Sequence, residues 1–541
     1  MALLLAVAVL AGSMMSGCGS TPETASPEET QTAETETTET ATEETKEETS
    51  SSEAKIDEEA SLIRAEGADV SAIIPLNQSS ADAQEMMIPI FDMLYRVYGE
   101  GTKYYLAESY TVSDDNMTVT IKLKDGLTYH DGTPLNADEI VWNFNMLKGY
   151  SFGSWYCMVN GKEVEIEKID DLTVQLNLPE PSASYAAMIG MMQPIPSHLY
   201  KDVPDVLNCE ANEIGIGTGP YKVKEWNKGE SLVLERYDDY YGGKAPIKTL
   251  VFKIIPNTAN QAISFESGEL SALRLTNVSD LEKYESRDDV EIVSFPEGRN
   301  HYIAFNALSE KMQDPKVREA ITLALNQEEL VLGAYGDNRI ASPAQNVFTS
   351  ANLYYPESVT AKDQDLEKAK QLIKETGLEG TTLKLIYNSS RANFEDIALV
   401  VQQQLKAVGI NVEIQAYDVN SFFNEFFEYD GVSTGYDLGI NGYAANGDPM
   451  SQQGMFSSMS NNMISSEKLD ELWTQGGLES DPEKRAEIFE QIAQEIKDLN
   501  SIYMVGETNF VFATQKGYKG LDSMALPPLF GDYMQIYKEA E

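Results

Sequence analysis

Cysteine is nearly absent: Cys18, Cys157 and Cys209 are the only three in 541 residues. Thiols so few and so scattered exclude a disulfide framework and a zinc ribbon. Histidine is equally scarce, and His130, His198 and His301 share no short spacing of the kind that gathers a metal. Positive charge is the third deficit, because 40 Lys and Arg face 87 Asp and Glu, for a formal charge of -47. That sign repels phosphate and excludes nucleic acid as a partner. Nowhere does an apolar run reach the roughly eighteen residues of a membrane-spanning helix. The P-loop, HExxH, EF-hand and GxSxG patterns are missing too. Among 87 acidic residues, close carboxylate pairs arise by chance and carry no weight as a hydrolase signature. The expectation is therefore a non-enzyme with no catalytic residues, no cofactor and no metal site.

What the chain does have begins at its N-terminus. MALLLAVAVLAGSMM, residues 1–15, is apolar, too short to span a bilayer, and followed by Ser16-Gly17 before Cys18. This is the pattern of a signal peptide over 1–17. Met15-Ser-Gly-Cys18 resembles a bacterial lipobox, whose cysteine thiol carries a thioether-linked diacylglycerol. Cys18 is thus the expected lipidation site, with enough acyl chains for stable anchoring. Residues 19–60 then carry fourteen acidic side chains against Lys46 and Lys55, with almost nothing apolar to bury. The stretch 18–59 reads as a lipidated cysteine and a disordered acidic tether with a reach of roughly 35 Å. The expected address is the cell surface, on the outer face of the bacterial cytoplasmic membrane, or the periplasmic side if an outer membrane is present.

The length of the remainder calls for more than one core. Val119, Ile121 and Leu123 alternate as a half-buried strand. Asn136 then caps a helix with Ile140, Phe144 and Leu147 on one face and Glu139 at the capping-box position. Val164 and Ile166, then Val174, Leu176 and Leu178, alternate across Asp170-Asp171 as a hairpin. Residues 95–213 therefore read as a small α+β module. Farther on, a helix over 365–376 stops at Gly377. After it come a strand at 383–387, a helix at 394–408 and a strand at 410–414, which form a βαβ unit. The fold class expected is α/β.

Two features invite chemistry. His130-Asp131 lies in an HDGTP turn, where adjacent residues rarely aim at one another as a catalytic pair does, so the turn reads as structural. Cys157 and Cys209 both fall in the small module, where a disulfide would close a loop of about fifty residues. Their separation in space decides between a bond and two thiols. Among the tryptophans, Trp155 stands in a Gly-Ser-Trp-Tyr loop suited to a ligand contact.

Several segments together resemble one family. They are Leu106-Ala-Glu-Ser-Tyr110, the run from Leu123 through His130-Asp-Gly-Thr-Pro134 to Ile140, Gly217-Thr-Gly-Pro-Tyr221 and Leu234-Glu-Arg-Tyr-Asp-Asp-Tyr-Tyr241. Ala304-Phe-Asn306, Asp314-Pro-Lys-Val-Arg-Glu-Ala320 and Gln402 to Ile410 follow in order. The chain resembles the extracytoplasmic solute-binding proteins of ABC importers, in the oligopeptide, dipeptide and nickel class known as family 5. The resemblance implies a two-lobed periplasmic-binding-protein-like fold with a small α+β domain inserted in the first lobe. Lobe I would take 60–94, 214–300 and 506–541, the insertion 95–213, and lobe II 301–505. The implied protein is a monomer that captures extracellular peptides in the inter-lobe cleft and hands them to the transmembrane subunits of a permease. Nickel complexes or another small solute are the alternative within the class. A peptide-signal receptor and an extracellular hydrolase lie outside it.

Peptide-binding members anchor the ligand's α-amino group with a carboxylate on the loop after a Gly-Trp pair, for which Gly442-Tyr443 stands here. Counting from the aromatic puts Asn446 at the anchor, and Asp448 comes two or three residues late. A neutral amide there would lose a charge-assisted bond worth about 1.5–3 kcal/mol if buried. Asp448 either takes over the anchor or caps the turn before Pro449. The ligand-binding residues implied are Tyr302, Asn306, Tyr443, Asn446, Asp448, Trp155 and Gln84.

Overall fold

Two unusually long strands, Val290–Phe305 and Ile502–Gln515, pair antiparallel and form the spine of the main sheet. The computed structural model describes residues 55–76, 81–99, 101–427, 435–445, 447–527 and 529–540, together with Ser154 and Ala392 for their backbone only. The signal peptide, Cys18, most of the tether and Asn446 lie outside the described residues. Among the described residues the main sheet has eleven strands. In chain order they are β1 (Ser61–Glu66), β2 (Tyr221–Asn227), β3 (Ser231–Arg236), β4 (Thr249–Ile254), β5 (Ala272–Leu275) and β6 (Val290–Phe305). Then come β7 (Ala341–Pro343), β8 (Thr382–Asn388), β9 (Asn411–Tyr417), β10 (Leu438–Ala444) and β11 (Ile502–Gln515). The spatial order is β2-β3-β4-β1-β5-β11-β6-β10-β8-β9, with β7 added to β11. One half, β2 to β5, is thus joined to the other, β8 to β10, through the β6–β11 pair.

That pair changes partners along its length. Val290–Pro296 lies against Asn509–Gln515, and after a register break Arg299–Ala304 lies against Ile502–Thr508 and also against β10. Gly298 sits in the break at φ +67°. A Cβ there would meet Pro527 Cβ at 2.8 Å and Ala351 Cβ at 3.0 Å, so glycine is required on both conformational and steric grounds.

Around β8 to β10 the alternation of side chains builds two layers. A first core lies around Leu232, Leu234, Leu250 and Phe252 of β3 and β4; Leu383, Leu385, Leu438 and Ile440 face a second with the helix Ala392–Ala407, while Ile386 and Tyr443 face a third with the helices Val419–Phe427 and Pro482–Leu499. β8 and β9 are parallel across the helix Ala392–Ala407, as the βαβ pattern leads one to expect. Each large apolar side chain fully buried in these layers contributes about 1.5–3 kcal/mol before entropy is counted. Between β1 and β2 the chain makes a separate antiparallel sheet of four strands, in the order Ala107–Val112, Thr118–Leu123, Thr173–Asn177, Glu165–Lys168, packed by the helix Ala137–Leu147.

Local chemistry departs from expectation at Glu139 and decides the question left open at the two cysteines. Asn136 caps its helix, accepting from Asp138 N and Glu139 N, but Glu139 does not close the box. Its carboxylate instead accepts from Ser197 N at 2.9 Å and Ser197 Oγ at 2.5 Å, because a tertiary partner with two donors outbids one exposed backbone N–H. Cys157 and Cys209 are both free thiols. Cys157 Sγ donates to Phe144 O at 3.4 Å, and burial pushes its pKa up to about 11, while Cys209 Sγ accepts from Ala211 N at the start of a short turn.

Beside the first core Asp92 is buried, and its carboxyl accepts from Tyr240 Oη at 2.9 Å and Tyr241 Oη at 2.6 Å. Burial raises its pKa to about 7, against the pull of the two tyrosines. The folded state therefore binds this proton more tightly than the unfolded chain, so its contribution is complete below the ordinary carboxylate range and lost as pH rises toward 7. Urea titrations from pH 4 to 7 should show the parent losing stability relative to Asp92→Asn by up to about 1.4 kcal/mol per pH unit. Gly298→Ala should lower unfolding free energy by about 1–3 kcal/mol, read from the urea midpoint at constant slope.

Candidate functional site

Two adjoining cavities border the small antiparallel module, and the first also reaches the chain after β10. The first, of about 450 Å³, has one wall from Trp155 and the 181–191 segment and the other from Gly447 to Gln453 and Trp473 to Leu478. The second, of about 460 Å³, is lined by Gln84, Met87, Met93, Arg96, Trp155 and Gln193 among others. Trp155 and Met191 line both, so they form the partition. Trp155 is 46% exposed, which suits a ring that waits for a partner.

Backbone contacts frame the cavities. Ala183 N donates to Gly477 O at 2.9 Å and Asn116 Nδ2 to Leu478 O at 2.7 Å. On the other side, Gly99 N donates to Ala351 O at 3.0 Å and Leu353 N to Gly447 O at 2.8 Å. Gly447 packs so closely on the hairpin Tyr95–Tyr98/Gly101–Tyr104 that a Cβ would stand 1.8 Å from Val97 O.

Asp448 lines the first cavity, but its carboxylate is committed elsewhere. Arg485 Nη1 reaches Oδ2 at 2.7 Å and Nη2 reaches Oδ1 at 3.1 Å, and Met450 N donates to Oδ1 at 2.9 Å. The pair is buried, with Arg485 flanked by the rings of Tyr354 and Phe489. Burial works against the Arg485 charge, and Asp448 more than offsets it, holding the guanidinium above its ordinary range. Asp448 thus caps the turn Pro449–Gln452 and neutralises an arginine. A ligand ammonium would have to compete with both.

Tyr302, Tyr443 and Asn306 stand in the interior and line neither of these cavities. The rings of Tyr302 and Tyr443 pack on Phe456 at 5.4 and 5.0 Å, and the Tyr443 hydroxyl donates to Val347 O and accepts from Asn300. Alternation along β6 and β10 turns both rings into the third core instead of toward open space. Asn306 donates to Tyr436 O at 2.8 Å and accepts from Leu308 N at 3.0 Å, beside a separate 290 Å³ cavity with Lys311 and Asp437. Of the implied set, Trp155, Gln84 and Asp448 reach the paired cavities. The residues missed are Arg96, Gln193 and the methionines at 87, 93, 188, 191, 192 and 450. Their readable sign was the Met-Met pairs at 86–87 and 191–192 and an arginine in the mostly apolar run Ile90 to Val97.

The His130 turn is structural. His130 Nε2 bonds Gly219 O at 2.9 Å and Nδ1 accepts from Gly217 N at 3.2 Å, while burial lowers the imidazole pKa to about 4. Asp131 pairs with His198 at 2.9 Å. A neutral ring with both nitrogens bonded to backbone has no proton to trade at neutral pH.

The chain is similar to known proteins in sequence and in fold. A family model described as "Bacterial extracellular solute-binding proteins, family 5 Middle" matches residues 102–463. The chain is 28% identical over 365 residues to the oligopeptide-binding protein AppA of Bacillus subtilis, covering 62% of this chain and 66% of that protein, just under two thirds. It is 28% identical over 373 residues to the dipeptide-binding protein of Escherichia coli, covering 64% and 68%. A solved ABC transporter substrate-binding protein, CtaP of Listeria monocytogenes, has a TM-score of 0.82 at 32% identity, covering 89% of this chain and 100% of that one.

Removing one member of the Asp448–Arg485 pair strands a buried charge. Arg485→Met should cost about 3–5 kcal/mol in urea unfolding, and a loss under 1 kcal/mol would mean that the pair is solvated.

Proposed function

Because the chain belongs to the bacterial extracellular solute-binding proteins of family 5, we propose that it is the peptide-capturing component of an ABC importer. The observation that carries this reading is the pair of cavities divided by Trp155 and Met191. Each falls within the roughly 300–1,000 Å³ of small-molecule sites, and together they offer successive pockets for neighbouring side chains. Family members are binding components of transporters and not enzymes.

In this reading the first lobe comprises 60–94, 214–300 and 506–541, with the module 95–213 inserted, and the second lobe 301–505. Ligand binding favours the closed arrangement by its difference in affinity for the two states, and bending is concentrated where β6 and β11 change partners. Cys18 carries the lipid, the acidic segment is the tether, and the closed monomer delivers its ligand to the permease subunits.

Thermal unfolding of the purified protein with pools of short peptides tests the proposal. Binding at a hundred times the dissociation constant stabilises by about 2.7 kcal/mol, which raises the melting temperature by a few degrees. No shift with peptides together with a shift on adding nickel chelates would replace peptides by metal complexes as the cargo.

A further inference from the structure

The second cavity contains a buried cation without a counter-charge among the described residues. Arg96 belongs to the strand Tyr95–Tyr98, whose alternation sends Tyr95 into the core, stacked 4.4 Å from Tyr110, and Arg96 to the opposite face. There Arg96 lines the cavity while being only 4% exposed.

Other deeply buried arginines are met by a carboxylate or by several carbonyls, although Arg64 Nε has no partner among the described residues. Arg64 meets Glu66 at 2.7 Å, Arg236 meets Asp238 at 2.8 Å and Arg485 meets Asp448 at 2.7 Å. Arg318 has no carboxylate but donates to the carbonyls of Met312, Gln313 and Leu499. Arg96 has one strong acceptor, Pro527 O. Its remaining contacts are the thioether sulfurs of Met93 and Met191, at 4.0 and 3.9 Å, and thioethers accept weakly. No acidic side chain pairs with it among the described residues. The titratable groups that face it are the hydroxyls of Tyr105, Tyr156 and Tyr98, and burial holds the guanidinium below its ordinary range. The Tyr105 hydroxyl is itself buried without a partner among the described residues.

A guanidinium has five donors in a planar fork that matches a carboxylate bidentately. Burying it unpaired is costly, and a ligand that brings the missing negative charge recovers that cost. We propose that Arg96 is a ligand-binding residue that takes a carboxylate of the captured solute. Met87, Met93, Met191 and Met192 wall the same cavity, so the atoms beside that carboxylate are apolar, and flexible thioether chains adapt to their shape. The assignment rests on the peptide reading, in which the carboxylate is a free C-terminus or an acidic side chain.

Three matched peptide pools distinguish these cases by thermal shift and calorimetry: free C-termini, amidated C-termini without acidic residues, and amidated C-termini with one internal glutamate. In the parent protein, the free-acid or glutamate pool should bind about ten- to hundredfold more tightly than the uncharged amidated pool. Whichever of the two does so identifies the source of the carboxylate. Arg96→Gln should abolish that preference and Arg96→Lys should restore part of it. The ligand-free melting temperature of Arg96→Gln should be no lower than the parent's, which separates loss of binding from loss of fold. Equal binding of all three pools overturns the role of Arg96 and leaves the peptide reading standing. Failure of every pool overturns the peptide reading, and Arg96 is then judged by native mass spectrometry of co-purified solute. An acidic solute held by the parent and lost from Arg96→Gln supports the assignment, and a solute with no acid group overturns it.

Discussion

The structure depends on one pairing, β6 against β11. These two strands carry the sheet from the β2–β5 half to the β8–β10 half, β11 pairing with β5 on one side and β6 with β10 on the other. Backbone hydrogen bonds along such a ladder resist stretching and shear but tolerate twist, and the register break at Pro296 to Arg299 puts the softest point midway. The first core reaches this crossing through Phe295, Phe510 and Phe512, and the second through Ile303 and Val511. Each half is thus rigid up to the point where the ladder changes register.

A second constraint works at the cavity mouth. Asp448 and Arg485 tie the loop after β10 to the helix Pro482–Leu499, so the loop has little freedom to rearrange around a ligand. A buried pair of this kind adds little net stability over an apolar pair, and its value is in holding one geometry. The opposite wall has another character. Methionines and an exposed tryptophan deform easily, so a fixed loop faces an adaptable surface. Arg96, behind that surface, is the polar point around which the adaptable residues are arranged.

Local order was legible in the amino-acid sequence wherever it rested on period and capping. The strand at Thr118–Leu123, the Asn136 cap, the helix ended by Gly377 and the βαβ unit all follow from neighbours a few residues apart. Periodicity supplied the α/β class, and the family likeness the particular fold within it. The site was legible only in part, since its chemistry is tertiary. Whether Asp448 was free depended on Arg485, 37 residues away, and whether Glu139 closed a capping box depended on Ser197, 58 residues away. Tyr302 and Tyr443 looked like cleft aromatics because strand alternation names two faces without saying which is the core. Trp155, read as a loop residue, stands in the short helix Ser154–Cys157 and is exposed there.

The approach of Gly447 to Val97 is made by main chain alone, since no side chain fits between them. A contact of this sort carries no residue code. Either rim of the cavities can change its side chains over evolutionary time, and so acquire a different cargo, without renegotiating how the rims meet. Only the glycine itself is held invariant by geometry. The side chains that line the cavities are thus separate from the contact that joins their rims, and that contact is written in one missing methyl group.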